Sequence, residues 1–297
     1  MVIYTIKDME NLSGVKAHTI RIWEKRYNIV EPKRTKTNIR YYTDEDLRHL
    51  LNVCFLYRKG YKISKIAMMN ENEIKEKISD YSNLDLQFED ELDALLLFIL
   101  ELDSYNFNKV LDKHIHQQGL VHTMETVIYP LLDKLNMAWL TGSFQEVHES
   151  FVTQIIKSKI HHSIENLDDR SNFSPTFIIY LPKGEKQELS LLYLHFLLKR
   201  HGCKVINLGL DVNFNDLKLA IEAAKPDFIF SIINEQPEMM SFEEYLHDLC
   251  EKLGEAVFVV TGYQTVAKQV IWPHNSKKLL NLAETIHFIK SLNEAEV

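Results

Sequence analysis

The chain is poor in glycine, with 9 in 297 residues, and poorer in cysteine, with 3. So few glycines leave little for loops that cradle phosphates, and no G-x-x-x-x-G-K-[ST], G-x-G-x-x-G, H-E-x-x-H or G-x-S-x-G string occurs. Cys54, Cys203 and Cys250 are odd in number and far apart, which excludes a disulfide framework or a C-x-x-C site and fits a reducing cytoplasm. They read as small apolar fillers. No apolar run reaches the ~18 residues of a membrane span, and "MVIYTIKDMENLSG" lacks the basic segment and apolar core of a leader. The sequence therefore predicts a cytoplasmic, unexported chain without a membrane partner. His161-His162 and His114-x-His116 are one and two residues apart, so neither pair shares a helix face, and no metal site is predicted.

What is present is core-forming material and a lopsided charge. Hydrophobic residues make up 45%, enough for two or three compact units. The net charge is −8, but residues 1–78 hold 16 Lys and Arg against 10 Asp and Glu, a balance of +6. The remaining 18 against 32 give −14 for residues 79–297. A basic head on an acidic body suggests that the head meets a polyanion and the body stays off it.

Within the head, "YTIKDMENLSGVKAHTIRIWEKRY" reads as a short helix, a turn at Ser13-Gly14 and a second helix from about Lys16 to Tyr27. Ile6, Met9, Leu12, Val15, Ile20 and Trp23 fall on the packed side. His18, Arg21, Lys25 and Arg26 are left outward, where a basic helix can enter a major groove. "NIVEPKRTKTNIRYYTDEDL" sets Pro32, four basic residues and two tyrosines between helices, with Thr43 and Glu45 or Asp46 opening the next. This is a phosphate-gripping wing.

The stretch "HTIRIWEKRYNIVEPKRTKTNIRYYTDEDL" resembles the winged helix-turn-helix head of MerR-type transcription regulators, matching Trp-Glu-x-Arg-Tyr, Pro-x-Arg-Thr and Arg-x-Tyr in order. Asn38 stands where that family usually has a wing glycine, and asparagine tolerates a left-handed backbone. "LRHLLNVCFLYRKGYKISKIAMM" matches the following helix pair, with Gly60 at the bend and Leu47, Leu50, Leu51, Phe55 and Leu56 as core. The resemblance implies that residues 18–26 read bases or backbone, and that Arg34, Thr35, Lys36, Arg40 and Tyr41 or Tyr42 hold phosphates. Arg21 is the foremost candidate for a base contact.

After "SDYSNLDLQ", residues 88–168 carry four helical segments without strand-like alternation, a small bundle. After "DDRSNFSP", residues 176–297 alternate strands with helices: "TFIIYL", "CKVINLG", "DFIFSII" and "AVFVVTG" are the strands of a flavodoxin-like parallel sheet. Ligands in such sheets sit beyond the carboxyl ends of the strands, where "GEKQELS" lies.

Head (1–78), bundle and α/β module in this order resemble the cobalamin-dependent, light-responsive branch of the MerR-type repressors. In that branch the bundle carries a tryptophan, nine residues and then Glu-His; here Trp139 is followed by Glu149 and Ser150. The position after the tryptophan, a histidine in some members, is Leu140. His148 is one residue out of phase, about 100° around a helix. Against the branch's Asp-x-His-x-x-Gly signature, whose histidine binds cobalt, the loop offers Glu185, Gln187 and Ser190. Ser231 is kept, while the glycine pair after the fourth strand is Gly262-Tyr263, with the tyrosine expected to fill the channel for the cofactor's tail. An amide is a far weaker donor to cobalt than imidazole. His195 and His201 read as surface or packed residues.

The resemblance thus implies a non-enzymatic, homodimeric repressor binding a double-stranded DNA operator. RNA polymerase or a regulatory protein is left open as a further partner. Its sensory module is expected to hold no cofactor; the alternative is a photosensor using adenosylcobalamin or methylcobalamin with an unusual ligand set. An enzyme of the cobalamin mutase or methyltransferase type would share the module but not the basic head.

Overall fold

The computed structural model describes residues 4–34, 40–81, 88–140, 145–167, 175–236, 240–252, 254–267 and 270–294. The chain divides into two compact units, residues 1–155 and 156–297.

The first unit opens with α1 (Ile6–Ser13), started by a capping box in which the Asp8 N–H donates to Thr5 Oγ1 and the Thr5 N–H donates to Asp8 Oδ2 at 2.7 Å. It stops at Gly14, left-handed with φ 68°. Helix α2 (Ala17–Tyr27) stops at Asn28, also left-handed. Strands β1 (Lys33–Arg34) and β2 (Arg40–Tyr41) pair antiparallel, Lys33 opposite Tyr41, as the expected wing. Tyr4 and Tyr42 exchange two backbone hydrogen bonds of 2.9 Å, tying the wing to the residues before α1. A second capping box, Thr43 with Asp46, opens α3 (Asp44–Arg58). Short α4 (Ile63–Ile66) and α5 (Glu71–Tyr81) follow the Gly60 bend. Met9, Ile20 and Trp23 are buried, as are Leu47, Leu50, Leu51, Phe55 and Leu56, so the expected core side is the observed one.

Four further helices come next. In α6 (Phe88–Leu100), residues 91–100 are buried all round, carboxylates included. Such acids need partners. Asp93 pairs with Arg58 of α3 and with Lys134, and Glu91 lies 2.8 Å from His114 Nε2. Helix α7 (Ser104–Thr123) is kinked at Gly119 and passes through a π turn, Met124–Ile128, into α8 (Tyr129–Leu140). Helix α9 (Glu146–Glu165) closes the series.

The second unit is a five-stranded parallel sheet. Strand β3 (Thr176–Pro182) leads to α10 (Glu188–Arg200), β4 (Lys204–Val212), α11 (Phe214–Ala224) and β5 (Phe228–Ile232). Then come α12 (Phe242–Cys250), β6 (Val257–Thr261), α13 (Tyr263–Ala267), β7 (Ser276–Lys278) and α14 (Leu282–Glu294). The order β4-β3-β5-β6-β7 is flavodoxin-like, with its switch point between β3 and β5. The four sequence-predicted strands are present; β7, "SKK", is an addition, too short and polar to show a pattern. Ile178, Ile229, Phe258 and Val260 form one core with Leu217, Phe242 and Leu246 of the covering helices.

Candidate functional site

On α2, His18, Arg21, Lys25 and Arg26 are all exposed, while Ile20 and Trp23 hold the opposite side down. Trp23 packs edge-on against Tyr57 of α3, ring centroids 5.0 Å apart. Burying an indole this fully fixes the helix: truncating it removes about 3–5 kcal/mol. On the wing Arg34 is exposed, and Arg40 is partly exposed with Nε 3.6 Å from Glu24 Oε1. Thr35 and Lys36, with Asn38, lie outside the described residues. Of the two tyrosines only Tyr41 reaches the surface. Tyr42 is fully buried and donates to Glu24 Oε2 at 3.3 Å. Burial first, and the Glu24 charge second, push its hydroxyl up to about 12. The expected phosphate contact at Tyr42 is thus the wing's internal anchor. The arrangement can present a cationic helix and hairpin to a polyanion.

In the second unit "GEKQELS" begins at the switch point. The Glu185 carboxylate is buried, and its Oε1 accepts the N–H groups of Asn234 (2.7 Å) and Glu235 (2.8 Å) from the loop after β5. Burial raises its pKa above the usual range, while the two backbone donors act in the opposite direction. Gln187 precedes α10 without capping it, and its Oε1 accepts from the Lys186 N–H at 3.1 Å. Ser190 is exposed. Ser231 is buried and its hydroxyl donates to the Tyr180 carbonyl at 3.0 Å. Gly262 has φ 115°, and a Cβ there would meet the Ile233 carbonyl at 2.5 Å. Tyr263, expected to plug an internal channel, is instead 66% exposed, because its N–H is drawn to Asn234 Oδ1 at 2.7 Å and its ring turns outward. In the first unit, Glu149 and Ser150 of α9 are exposed; Trp139 belongs to α8, its side chain outside the described ones.

Residues 4–73 match the MerR HTH family regulatory proteins. The head of this chain is a MerR-type helix-turn-helix domain. The chain is 26% identical to the HTH-type transcriptional repressor CarH of Myxococcus xanthus, over 87% of this chain and 88% of that protein. It is 23% identical to the repressor CarA of the same organism, over 75% and 74%. Among solved structures it is similar to a monomethylamine corrinoid protein of Methanosarcina barkeri, covering 70% of this chain and all (100%) of that one, at 11% identity and TM-score 0.49.

A MerR-type head implies double-stranded DNA as partner. At the start of α10 the side chain offered is the Gln187 amide, Glu185 accepts from the loop after β5, and the Ile233 carbonyl approaches Gly262 too closely for a Cβ. His195 lies within α10 and His201 just past its end, neither at its start; burial lowers the pKa of both, His195 to about 4. Among the described residues no helix is long and apolar enough to cross a membrane, and no group of three or more His, Cys, Asp or Glu could hold a metal ion.

Three functional side chains escaped the sequence reading. Glu24 carries the wing on the recognition helix, and its place inside Trp-Glu-x-Arg-Tyr was the available signal. Arg58 joins the Ser13 carbonyl of the helix turn to Asp93 of α6. Asn234 ties the loops after β3, β5 and β6 together, donating to Glu185 and accepting from Tyr263 and Gln264. Nothing local marks the last two.

Proposed function

We propose that this regulator is a homodimeric, sequence-specific repressor built of a DNA-binding head (1–78), a helical bundle (88–168) and an α/β sensory module (176–297) that works without cobalt chemistry. The exposed basic side of α2 carries the DNA reading. Arg21 and its neighbours read the major groove, and Arg34, Thr35, Lys36, Arg40 and Tyr41 hold phosphates. A single recognition helix per chain covers one half-site, so a dimer is required for a two-fold operator. The −14 balance of residues 79–297 keeps the body off DNA. Cytoplasmic placement accords with that role. In the module, Gln187, Ser190 and the closed space at Gly262 support loss of the cofactor rather than a new ligand set.

Footprinting of the native protein tests the first half: protection of a two-fold repeat on each bound promoter is expected, and uniform coverage of any duplex would end the reading. Incubation with adenosylcobalamin or methylcobalamin in the dark, followed by desalting, tests the second. The protein should emerge colourless, and light should leave its DNA affinity unchanged. A stoichiometric red complex with cobalt bound to a protein nitrogen would establish a photosensor instead.

A further inference from the structure

The exposed side of α2 is not wholly polar. Ile22 lies on it and is 45% exposed. Counting about 100° per residue around the helix from Ile20, Arg21 stands at about 100°, Lys25 at about 140°, His18 at about 160° and Arg26 at about 240°. Ile22 stands at about 200°, inside the arc that these exposed side chains cover and turned away from buried Ile20 and Trp23.

A lone exposed isoleucine is ordinary on a protein surface; what singles this one out is its place among the side chains assigned to the groove. The free protein does not favour it there. Isoleucine is a poorer helix former than alanine, leucine, arginine or lysine, because its branched Cβ restricts χ1, and its apolar surface stands in water. Among the described residues of the head the other exposed large apolar side chains are Tyr57, whose ring lies against Trp23, and Met68, which follows α4. The branching that disfavours Ile22 in the helix also holds its side chain in one rotamer, so its methyl groups are presented in a fixed place.

Resting on the assignment of α2 to the major groove, we infer that Ile22 is a base-reading residue that recognises the C5-methyl group of a thymine. Thymine is the one unmodified DNA base whose major-groove edge carries a methyl group, so an apolar contact there selects it without a hydrogen bond. Contact removes the thymine methyl and the exposed part of Ile22 from water together. The cations around it fix the helix on the duplex and read hydrogen-bonding edges, and Ile22 adds a specificity that charge does not supply.

Duplexes carrying the footprinted operator, with each thymine in turn replaced by deoxyuridine, test this on the full-length protein, because deoxyuridine lacks only the methyl group. At one thymine per half-site the replacement should weaken binding about three- to five-fold, the effect of one buried methyl. Ile22→Ala should lose at least as much on the unchanged operator, and deoxyuridine at that thymine should then cost it nothing further, as a shared contact requires. The variant should keep its melting temperature, since Ile22 is exposed and alanine favours a helix. Its affinity for random duplex and its salt slope should equal those of wild type. Ile22→Val, still branched and apolar, should retain the deoxyuridine effect. Equal affinity for every deoxyuridine duplex, an undiminished deoxyuridine effect in Ile22→Ala, or an equal loss by that variant on random duplex would each overturn the inference while leaving specific binding by α2 intact. A wild-type protein without sequence preference would overturn both.

Discussion

The Tyr42 hydroxyl reaches Glu24 of the recognition helix across 3.3 Å, so the wing's position is set by the helix that it flanks. Glu24 also faces Arg40, 3.6 Å away on β2. One carboxylate therefore holds the hairpin at two points. Removing it should disturb the wing and release Arg40 from its ion pair, while leaving Arg21 and its basic neighbours on α2 untouched. Glu24→Gln should keep the head folded, cost about 1 kcal/mol in thermal stability, and lower operator affinity several-fold. Tyr42→Phe should behave alike in a melting and gel-shift comparison, whereas Tyr41→Phe should leave stability alone.

Arg21 and Arg34 should fail in different ways. Arg21→Ala is expected to lose about 1–3 kcal/mol on the operator and little on random duplex, as removal of a base contact does. Arg34→Ala should weaken all duplexes similarly and reduce the salt slope by about 1. Measuring both at several salt concentrations separates them, and equal behaviour of the two variants would contradict the division into a base-reading and a phosphate-holding arginine.

Gly262 has no room for a side chain. Its φ of 115° and the 2.5 Å approach of the Ile233 carbonyl both oppose a Cβ. Gly262→Ala should destabilise the second unit by at least about 1–3 kcal/mol, read as a lower melting temperature, while the basic head, lying in the other unit, keeps non-specific DNA binding.

Glu185 supplies a pH test. Its folded pKa is raised by burial, so the folded state holds the proton more tightly than the unfolded one. The group's stabilising effect is therefore complete below about 4.5 and fades as pH rises through the folded value. Glu185→Gln retains an oxygen for the Asn234 and Glu235 donors without the charge. It should be at least as stable as wild type at pH 7 and flatten this part of the stability profile. Glu185→Ala, leaving both donors unpaired, should be less stable throughout. Chemical denaturation between pH 4 and pH 8 provides the comparison.

Much of this molecule was legible in its sequence because the signals are local. The helix cap at Thr43, the apolar spacing of Met9, Ile20 and Trp23, and the run of basic residues from His18 to Arg40 are set within a few residues of one another. Period and capping fix them before any long-range contact forms. The same holds for the four long strands, whose apolar runs announce a sheet covered on both sides. Only the tertiary structure decided the rest. Tyr41 and Tyr42 are neighbours with the same chemistry, and pairing of Tyr42 with Tyr4 chose which one faces inward, since adjacent strand residues point to opposite sides. Glu185 was readable as a signature position but not as a loop clasp, because its donors lie 49 and 50 residues away. Tyr263 turned outward for the same kind of reason: its backbone answers to Asn234, 29 residues earlier.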